Sequence, residues 1–359
     1  MTDPTGTASA SPRARFAAAL AQGRPPSRWL AAFADVPREH FVPSFYEQDG
    51  QGRWHEVSQG DPGYLDTVYS DTALTTQLDA HGVPTSSSSE PGLMLAMLDA
   101  LDAEAGHRLF ELGTGTGYNA ALASSLLGSD NVVSVDVDPG LVRRARRNLE
   151  RGGYRPHVYA GDGAEGRPDR APYDRVIATA ALRRIPPALL AQARAGAVVV
   201  TPIGFGVARF VVSEGGEASG RFLPVPAYFM PRRRPAKAPD FAGLEAQAGT
   251  ATSVRVTDVL ERLKFPLSLA LPGHRSCSWL DDEGEVTGVG LWTEDGSTAT
   301  LHASGKARQT GPRRLWDAVE ELASAFPDGA PAREDFGLTV TPAGQRAWYG
   351  EADGPSWAL

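Results

Sequence analysis

The feature that most limits the possible folds is an alternation of apolar runs and helical stretches between residues 107 and 202. Five apolar runs have the length of a strand: 108–112, 132–137, 157–160, 175–179 and 197–202. Helical patterns separate the first three runs and precede the fifth: 118–127, 141–151 and 187–194. Strands that alternate with helices are typical of a parallel sheet covered on both faces. We therefore predict an α/β fold with a mainly parallel sheet.

Changes in composition along the chain predict the domain boundaries. Residues 1–65 are expected to be a disordered start and a helical lead-in, in which 47–64 is rich in Gly, Gln and Asp and indicates a loop. Residues 66–230 would form the α/β domain, ending in a hairpin of 207–213 and 222–229. The Pro- and Arg-rich segment 231–241 is interpreted as a linker. Residues 242–359 hold five of the seven tryptophans and several acidic turns, and predict a smaller C-terminal α+β module.

Composition excludes several classes of function. The single cysteine, Cys277, rules out a disulfide framework and a thiolate zinc site, and the seven histidines have no metal-ligand spacing, so no metal site is predicted. No apolar run reaches the roughly 18 residues of a membrane helix. The N-terminus lacks the apolar stretch of a secretory signal, and a cytoplasmic location is expected. A formal net charge of −8 argues against nonspecific binding to nucleic acid.

A glycine-rich turn follows the first predicted strand. Glu111 in that strand precedes Gly113, Gly115 and Gly117, and a helix then begins at Tyr118. Glycine is needed where a backbone turns sharply and comes close to a ligand. The spacing differs from the dinucleotide fingerprint G-x-G-x-x-G, so a pyrophosphate is not the best ligand.

Two further acidic residues follow later strands in the same order along the chain. Asp136 ends the second strand, at the separation from the glycines where an acid can accept hydrogen bonds from ribose hydroxyls. Asp162 and Gly163 follow the third strand. Ligands of open α/β sheets bind at the carboxyl ends of the strands, so these residues predict one cofactor site. A nucleotide-binding relative and a degenerate site remain alternatives.

The pattern E-x-G-x-G-x-G resembles motif I of the Rossmann-like S-adenosylmethionine-dependent methyltransferases. The resemblance implies a Rossmann-like domain that binds S-adenosylmethionine, with Glu111 helping to hold the ammonium end of the cofactor. The residues it assigns to cofactor binding are Ser88, Glu111, Gly113, Thr114, Gly115, Thr116, Gly117, Tyr118, Asp136, Val137, Asp162, Gly163 and Thr179.

A narrower resemblance covers roughly residues 30–230, which are similar to protein-L-isoaspartate (D-aspartate) O-methyltransferases. The matching segments are VPREHFVP (36–43), YSD (69–71), SEP (89–91), ELGTGTGYNAALA (111–123), GDGAEG (161–166), APYDRVIATAA (171–181), IPPALLAQ (185–192) and VVTPIG (199–204). The resemblance implies that Ser89 is the active-site serine. The usual Thr-Ile-Ser of the family is replaced here by Ser87-Ser88-Ser89, so the alignment depends on Pro91.

The chemistry of such an enzyme suits a carboxylate substrate. An aspartyl-type carboxylate has a pKa of about 4 and is already a nucleophile at neutral pH, so no general base is needed. A serine hydroxyl and backbone N–H groups can orient it against the sulfonium methyl group. The methyl ester would then be attacked by the next backbone nitrogen, which releases methanol and forms a succinimide (aspartimide).

The C-terminal sequence leads to a more specific hypothesis. Segments 311–320 and 336–357, together with the serine run 86–89, resemble enlarged members of the family encoded with ribosomally made peptides (FxLD-type lanthipeptides, graspetides and imiditides). This resemblance implies that the substrate is an aspartate of a precursor peptide, bound with help from the C-terminal module, and that the product is an aspartimide. The first alternative is general repair of L-isoaspartyl proteins. The second is a noncatalytic peptide-binding protein on a methyltransferase fold.

Overall fold

The computed structural model describes residues 11–230 and 238–359. Most of the start expected to be disordered (1–14) and most of the expected linker, with Arg232–Arg234, therefore lie outside the described residues. Residues 12–14 of that start are helical, contrary to the expectation. The chain forms two compact units. The described residues of the first unit are 11–179, 186–201 and 211–216, and those of the second are 180–185, 202–210, 217–230 and 238–359.

The first unit contains most of the helices. They are α1 (Pro12–Ala21), α2 (Leu30–Asp35), α3 (Arg38–Phe41), α4 (Tyr64–Val68), α5 (Pro91–Ala100), α6 (Tyr118–Leu127), α7 (Pro139–Arg151) and α8 (Pro187–Ala191). Its strands are β1 (Ser44–Gln48), β2 (Trp54–Ser58), β3 (Leu74–Leu78), β4 (Pro84–Ser88), β5 (Leu109–Leu112), β6 (Val132–Asp136), β7 (His157–Ala160), β8 (Tyr173–Ala178) and β9 (Ala193–Ile203), of which β9 runs on into residues of the second unit. Short 3₁₀ turns lie at Ser129–Asn131, Gly163–Glu165 and Pro168–Arg170.

The central sheet of this unit has the strand order β9-β8-β5-β6-β7, and its neighbouring strands are parallel. Every residue of β5 and β6 is buried, because helices cover both faces of a parallel sheet. The prediction of an α/β fold with a mainly parallel sheet is confirmed. The order also places the ends of β5 and β6 side by side, with Leu112 opposite Val135.

Helix α7 shows why the local sequence folds as it does. Asp138 caps its N-terminus, since the carboxylate accepts hydrogen bonds from the N–H groups of Gly140 (2.6 Å) and Leu141 (3.3 Å). Pro139 occupies the first turn, where its missing N–H is not needed. One apolar face of the helix is buried, and its arginines lie on the other faces.

A second sheet of the first unit differs from the sequence prediction. The segment 47–64, expected to be a loop, contributes to a four-stranded antiparallel sheet with the order β2-β1-β3-β4. β1 and β2 form a hairpin in which Phe45 pairs with Val57; Gly50 and Gly52 lie in its turn, and Gly60 and Gly63 follow β2. The loop prediction was wrong for residues 47–48 and 54–58, which are strand, because the glycines of this segment make two short turns rather than one long irregular segment.

The second unit is rich in antiparallel strands. Its elements are β10 (Gly206–Val212, whose last two residues belong to the first unit), β11 (Ala218–Pro226), α9 (Ala242–Glu245), β12 (Thr250–Ala251), a π-helical turn (Asp258–Arg262), α10 (Lys264–Ala270), β13 (Arg275–Leu280), β14 (Val286–Trp292), β15 (Thr298–His302), β16 (Lys306–Thr310), α11 (Leu315–Ala325), a 3₁₀ turn (Arg333–Asp335), β17 (Phe336–Thr341), β18 (Gly344–Tyr349) and β19 (Ser356–Ala358). β10 and β11 correspond to the expected hairpin.

These strands form two groups within the second unit. Five strands make a separate antiparallel sheet in the order β12-β16-β15-β14-β13, and Phe241, Leu244 and Trp292 form a core cluster with Cys277 and Trp279 packed against it. The other group has the order β19-β18-β17-β11-β10, in which β17 pairs with β11 through Val340 and Ala218. The second unit therefore includes strands that precede the expected linker, while its α+β character agrees with the sequence prediction.

No helix among residues 11–230 and 238–359 combines the length and apolar character that crossing a membrane requires. Within the same residues, no group of three His, Cys, Asp or Glu side chains has the arrangement of a metal site.

Candidate functional site

The glycine loop connects the end of β5 to the start of α6. Gly113, Gly115 and Gly117 have φ values of 100°, 52° and 88°, which residues with a side chain rarely adopt. The loop is held by hydrogen bonds from the N–H of Gly113 to the carbonyl of Val135 and from the N–H of Gly117 to the carbonyl of Thr114, both 2.9 Å long. The three predicted glycines are thus required by the backbone conformation itself.

Asp136, at the end of β6, is bound to this loop. One of its carboxylate oxygens accepts a hydrogen bond from the N–H of Gly115 (2.9 Å), and the other accepts one from the N–H of Asp138 (3.0 Å). The side chain is 8% exposed, and burial raises its pKa above the ordinary value of an aspartate. Since each carboxylate oxygen can accept two hydrogen bonds, Asp136 retains acceptor capacity for ligand hydroxyl groups.

Glu111 is fully buried beneath the loop and bound to protein donors. Its two carboxylate oxygens accept hydrogen bonds from the amide of Asn119 (2.7 Å) and the hydroxyl of Ser134 (2.6 Å). Because the Ser134 proton is used in this way, the hydroxyl of Thr114 donates to the Ser134 oxygen (2.6 Å). Burial raises the pKa of Glu111 to about 7. The geometry gives Glu111 a supporting role in the loop, and its expected contact with a cofactor ammonium group stays a prediction.

Three of the other predicted residues line the same end of the sheet. The hydroxyl of Thr179 donates to the carbonyl of Gly113 (2.7 Å), which ties the end of β8 to the glycine loop. Gly163 lies so close to Leu112 that an added Cβ would be 2.6 Å from its Cγ. Val137 is 64% exposed, which is unusual for a large apolar residue directly after a buried strand. An exposed apolar surface at this position suits the flat face of a nucleobase.

The remaining predicted residues, Asp162, Thr116 and Tyr118, contact other residues of the protein. The carboxylate of Asp162 accepts a hydrogen bond from the N–H of Ala164 (3.0 Å) and caps a 3₁₀ turn. Thr116 is buried, and its hydroxyl accepts a hydrogen bond from the N–H of Tyr118 (3.4 Å). The ring of Tyr118 packs against Phe33 and Phe41, while its buried hydroxyl has no hydrogen-bond partner within the described part of the chain.

The serine run lies beside the glycine loop. A Cβ added to Gly115 would be 3.5 Å from the carbonyl oxygen of Ser87 and 3.8 Å from the hydroxyl of Ser86. Ser89 follows the last residue of β4 and is half-buried. The hydroxyl of Ser88 is buried and accepts hydrogen bonds from Arg38, so this geometry does not favour the predicted contact of Ser88 with a cofactor. The structure therefore brings the carboxyl end of β4 together with the glycine loop.

The segment before β3 is fastened to the start of α5, just beyond Ser89. The carboxylate of Asp71 accepts a hydrogen bond from the N–H of Gly92 (2.5 Å), and the guanidinium of Arg24 donates to the carbonyl of Gly92 (2.9 Å). Glu90 lies between Ser89 and Gly92 in the chain, and its pKa is raised by burial and by the charge of Asp71. Two carboxylates thus flank the polypeptide that carries Ser89.

Several residues that lie at the site were not predicted from the sequence. Asn119 and Ser134 bind Glu111, and Arg38 binds the backbone around Ser89. For Arg38 a signal was available, because an arginine flanked by apolar residues, as in segment 36–43, requires polar partners if it is buried. For Asn119 and Ser134 the sequence offers no distinctive signal.

The arrangement fits S-adenosylmethionine. A loop whose backbone excludes side chains leaves room for a ligand, Asp136 can accept ribose hydroxyls, and Val137 offers an apolar surface. Ser87, two residues before Ser89, lies beside the same loop.

Comparisons with known proteins agree with this geometry. Residues 26–214 match the family model described as protein-L-isoaspartate(D-aspartate) O-methyltransferase (PCMT). The chain is 42% identical over 145 residues to a protein-L-isoaspartate O-methyltransferase of Anaeromyxobacter dehalogenans, covering 38% of this chain and 68% of that protein. It is 34% identical over 181 residues to the protein of the same name from Staphylothermus marinus, covering 48% and 70%.

A solved structure extends the likeness to the second unit. A structure titled protein-L-isoaspartate O-methyltransferase matches with a TM-score of 0.56 and 21% identity, covering 94% of this chain and all of the other. At this identity the match establishes the fold, which is the Rossmann-like methyltransferase fold expected from the sequence.

Proposed function

Because the chain belongs to the protein-L-isoaspartate (D-aspartate) O-methyltransferase family and is thus an S-adenosylmethionine-dependent carboxyl O-methyltransferase, we propose that it methylates the free carboxylate of L-isoaspartyl residues in proteins and peptides. The product ester would close to a succinimide with release of methanol. The observation that carries the proposal is the position of the β4 serine run, whose Ser87 carbonyl lies beside the glycine loop. General repair is supported by the names of both relatives, which makes it the leading candidate.

The residues of the site can perform this reaction without a general base. An ionised carboxylate is itself the nucleophile, and S-adenosylmethionine, when bound, supplies the methyl group as an electrophile. The glycine loop, Asp136 and Val137 would hold the cofactor. The hydroxyl of Ser89 would donate to one carboxylate oxygen and so leave the other oriented for in-line attack.

A matched set of three peptides tests the proposed substrate. The peptides share one sequence and carry L-isoaspartate, L-aspartate or asparagine at a single position. We expect only the isoaspartyl peptide to gain one methyl group in mass spectrometry, and then to lose methanol on standing. A stable methyl product on nitrogen, or equal methylation of all three peptides, would contradict the proposal.

A second experiment tests Ser89. Replacing it with alanine should lower kcat by about 10- to 100-fold, because a hydrogen bond to a charged group is worth about 1.5–3 kcal/mol. Binding of S-adenosylhomocysteine, measured by calorimetry, should be unchanged. Ser58→Ala is the matched control, since Ser58 is also half-buried and ends strand β2 of the same sheet.

The second candidate substrate is an aspartate of a ribosomally made precursor peptide, with an aspartimide as the product. It is favoured by the resemblance of segments 311–320 and 336–357 to enzymes of that kind, and by the size of the second unit, most of which lies outside the family match. A separate folded unit could hold a peptide and raise the effective concentration of one aspartate. Methylation of an L-aspartyl peptide encoded next to the gene, without activity on short isoaspartyl peptides, would decide in its favour.

The third candidate, a noncatalytic peptide-binding protein on this fold, makes a different prediction. Such a protein would not need the cofactor, so failure to bind S-adenosylhomocysteine would favour it. The complete set of Gly113, Gly115, Gly117 and Asp136 argues against it.

A further inference from the structure

We propose that Arg38 is a positioning residue for Ser89, which it holds from inside the protein through the backbone. The inference rests on the role of Ser89 proposed above. It assigns Arg38 no contact with the substrate or the cofactor.

The contacts of Arg38 are numerous and lie in two segments of the chain. Its side chain is fully buried. One terminal nitrogen donates to the carbonyls of Val68 (2.9 Å) and Ser70 (3.1 Å). The other lies within hydrogen-bond distance of the carbonyl oxygens of Thr72 (3.1 Å), Ser89 (3.2 Å) and Ser88 (3.4 Å), and of the hydroxyl of Ser88 (3.3 Å). A single guanidinium group therefore connects residues 68–72 to residues 88–89.

The planarity of this group gives the connection its rigidity. A guanidinium holds five N–H donors in one plane, so the acceptors that surround it are fixed relative to each other. Asp71, in the first of the two segments, also binds the N–H of Gly92. The backbone on both sides of Ser89 is thus fastened, at the Ser88 and Ser89 carbonyls by Arg38 and at Gly92 by Asp71.

The Ser89 hydroxyl itself is left available. Across residues 11–230 and 238–359 no hydrogen bond to this hydroxyl is found, although its backbone carbonyl is bound. An arrangement that fixes the backbone and leaves the side chain without a partner suits a group that must present its proton to a substrate.

The charge of Arg38 is balanced mainly by dipoles. Its hydrogen-bond acceptors are carbonyl and hydroxyl oxygens, and burial lowers its pKa to about 10, so it stays protonated at neutral pH. The ring of Tyr118, which begins α6 after the glycine loop, lies 5.9 Å from its guanidinium carbon. A neutral replacement would leave several buried carbonyls unpaired, which costs more than the loss of one surface contact.

A double-mutant cycle separates positioning from general stabilisation. Arg38→Met should lower kcat for the isoaspartyl peptide at least about tenfold, while affinity for S-adenosylhomocysteine changes less than about threefold. If Arg38 acts through Ser89, adding Ser89→Ala to Arg38→Met should lower kcat by less than about threefold more. Arg28→Met is the matched control, since Arg28 also donates to a backbone carbonyl, that of Ala103, but does not bind residues 68–72 or 88–89 within the described part of the chain. Its kcat should equal that of the wild type.

Each alternative outcome has one meaning. If Ser89→Ala impairs the wild type and the two substitutions act additively, or if Arg38→Met leaves kcat unchanged, the positioning role is overturned while the proposed function stands. If Ser89→Ala leaves the wild-type kcat unchanged, the role of Ser89 fails and the positioning role fails with it.

Should Arg38→Met not fold, the same cycle is run on Arg38→Lys, which keeps the charge but not the planar donors. Its kcat should be reduced and its effect non-additive with Ser89→Ala; an additive effect would again overturn the positioning role.

Discussion

Two buried carboxylates at the ends of neighbouring strands have different environments. Asp136 accepts hydrogen bonds from backbone N–H groups and retains slight exposure, whereas Glu111 is fully buried and bound to side chains. The first can still meet a ligand, and the second supports the loop from below. Substitution of Asp136 is therefore expected to change ligand binding, and substitution of Glu111 to change the stability of the protein.

Asp136→Asn should weaken the binding of S-adenosylhomocysteine by about 10- to 100-fold, because a charge-assisted acceptor of ligand hydroxyls is replaced by a neutral amide. Isothermal titration calorimetry measures the change. Asp130→Asn is the control, since Asp130 is exposed and lies just before β6; this variant should bind S-adenosylhomocysteine as tightly as the wild type. Equal affinity of Asp136→Asn and wild type would contradict a role of Asp136 in the cofactor site.

Glu111 gives the stability of the protein a specific pH dependence. Its pKa is about 7 in the folded protein, compared with an ordinary value of 4.5 that applies to the unfolded chain. Between pH 4.5 and pH 7 the folded state therefore keeps a proton that the unfolded state has lost. Stability should therefore fall as pH rises from about 4.5 to 7, by up to about 3 kcal/mol from this group. Glu111→Gln removes the titration.

Urea unfolding at pH 5 and pH 8 measures this effect. The free energy of unfolding of Glu111→Gln, relative to that of the wild type, should be higher at pH 8 than at pH 5. Glu104→Gln, at an exposed position, should show no such change between the two pH values. A difference of the opposite sign would mean that the hydrogen bonds from Ser134 and Asn119 outweigh burial.

At the scale of secondary-structure elements, the site depends on how β5, the glycine loop and α6 join to α7. Gly117 precedes α6 in the left-handed conformation, with a φ of 88°. A Cβ at this position would lie 3.3 Å from Ala145 and 3.3 Å from Leu149, both on the buried face of α7. The turn and the helix packing thus both require glycine at this position.

Gly117→Ala should destabilise the protein by about 2–4 kcal/mol, from the strained backbone and from the close contacts with α7. Gly153→Ala is a matched control, because its φ of 81° carries the same strain while no atom lies within 4 Å of the added Cβ. The control should lose only about 1–2 kcal/mol. If denaturant unfolding showed equal losses of stability for Gly117→Ala and Gly153→Ala, the close contacts of the added Cβ with α7 would contribute nothing.

For the whole molecule, the most general property is the excess of acidic residues. A net charge of −8 favours encounters with basic peptides and disfavours acidic ones, without specifying any one contact. Since the proposed substrates are damaged proteins of many sequences, this charge should influence which are methylated fastest.

Isoaspartyl peptides flanked by lysines should have a KM roughly 2–10-fold below that of the same peptides flanked by glutamates at low salt. The ratio should approach one at about 0.5 M salt, where charges are screened beyond a few ångströms. Peptides with serine flanks serve as the control and should show little dependence on salt. Equal KM values at low salt would contradict the argument.

The sequence by itself determined the features that depend on local pattern. The alternation of strands and helices, the positions of Gly113, Gly115 and Gly117, and the end of β6 at Asp136 were all predicted, and the structure has them there. Each follows from apolar periodicity or from a backbone angle that only glycine adopts easily, and both are properties of a few consecutive residues.

Only the tertiary structure decided which distant segments meet. It paired β17 with β11, joined β1 and β2 to β3 and β4, and placed Arg38 against Ser88 and Ser89, some 50 residues along the chain. Such contacts depend on which buried polar groups find partners and which apolar faces cover each other, and local propensity does not encode either choice. The glycines of the loop could therefore be found by pattern, whereas the sequence did not reveal which segments Arg38 would bind.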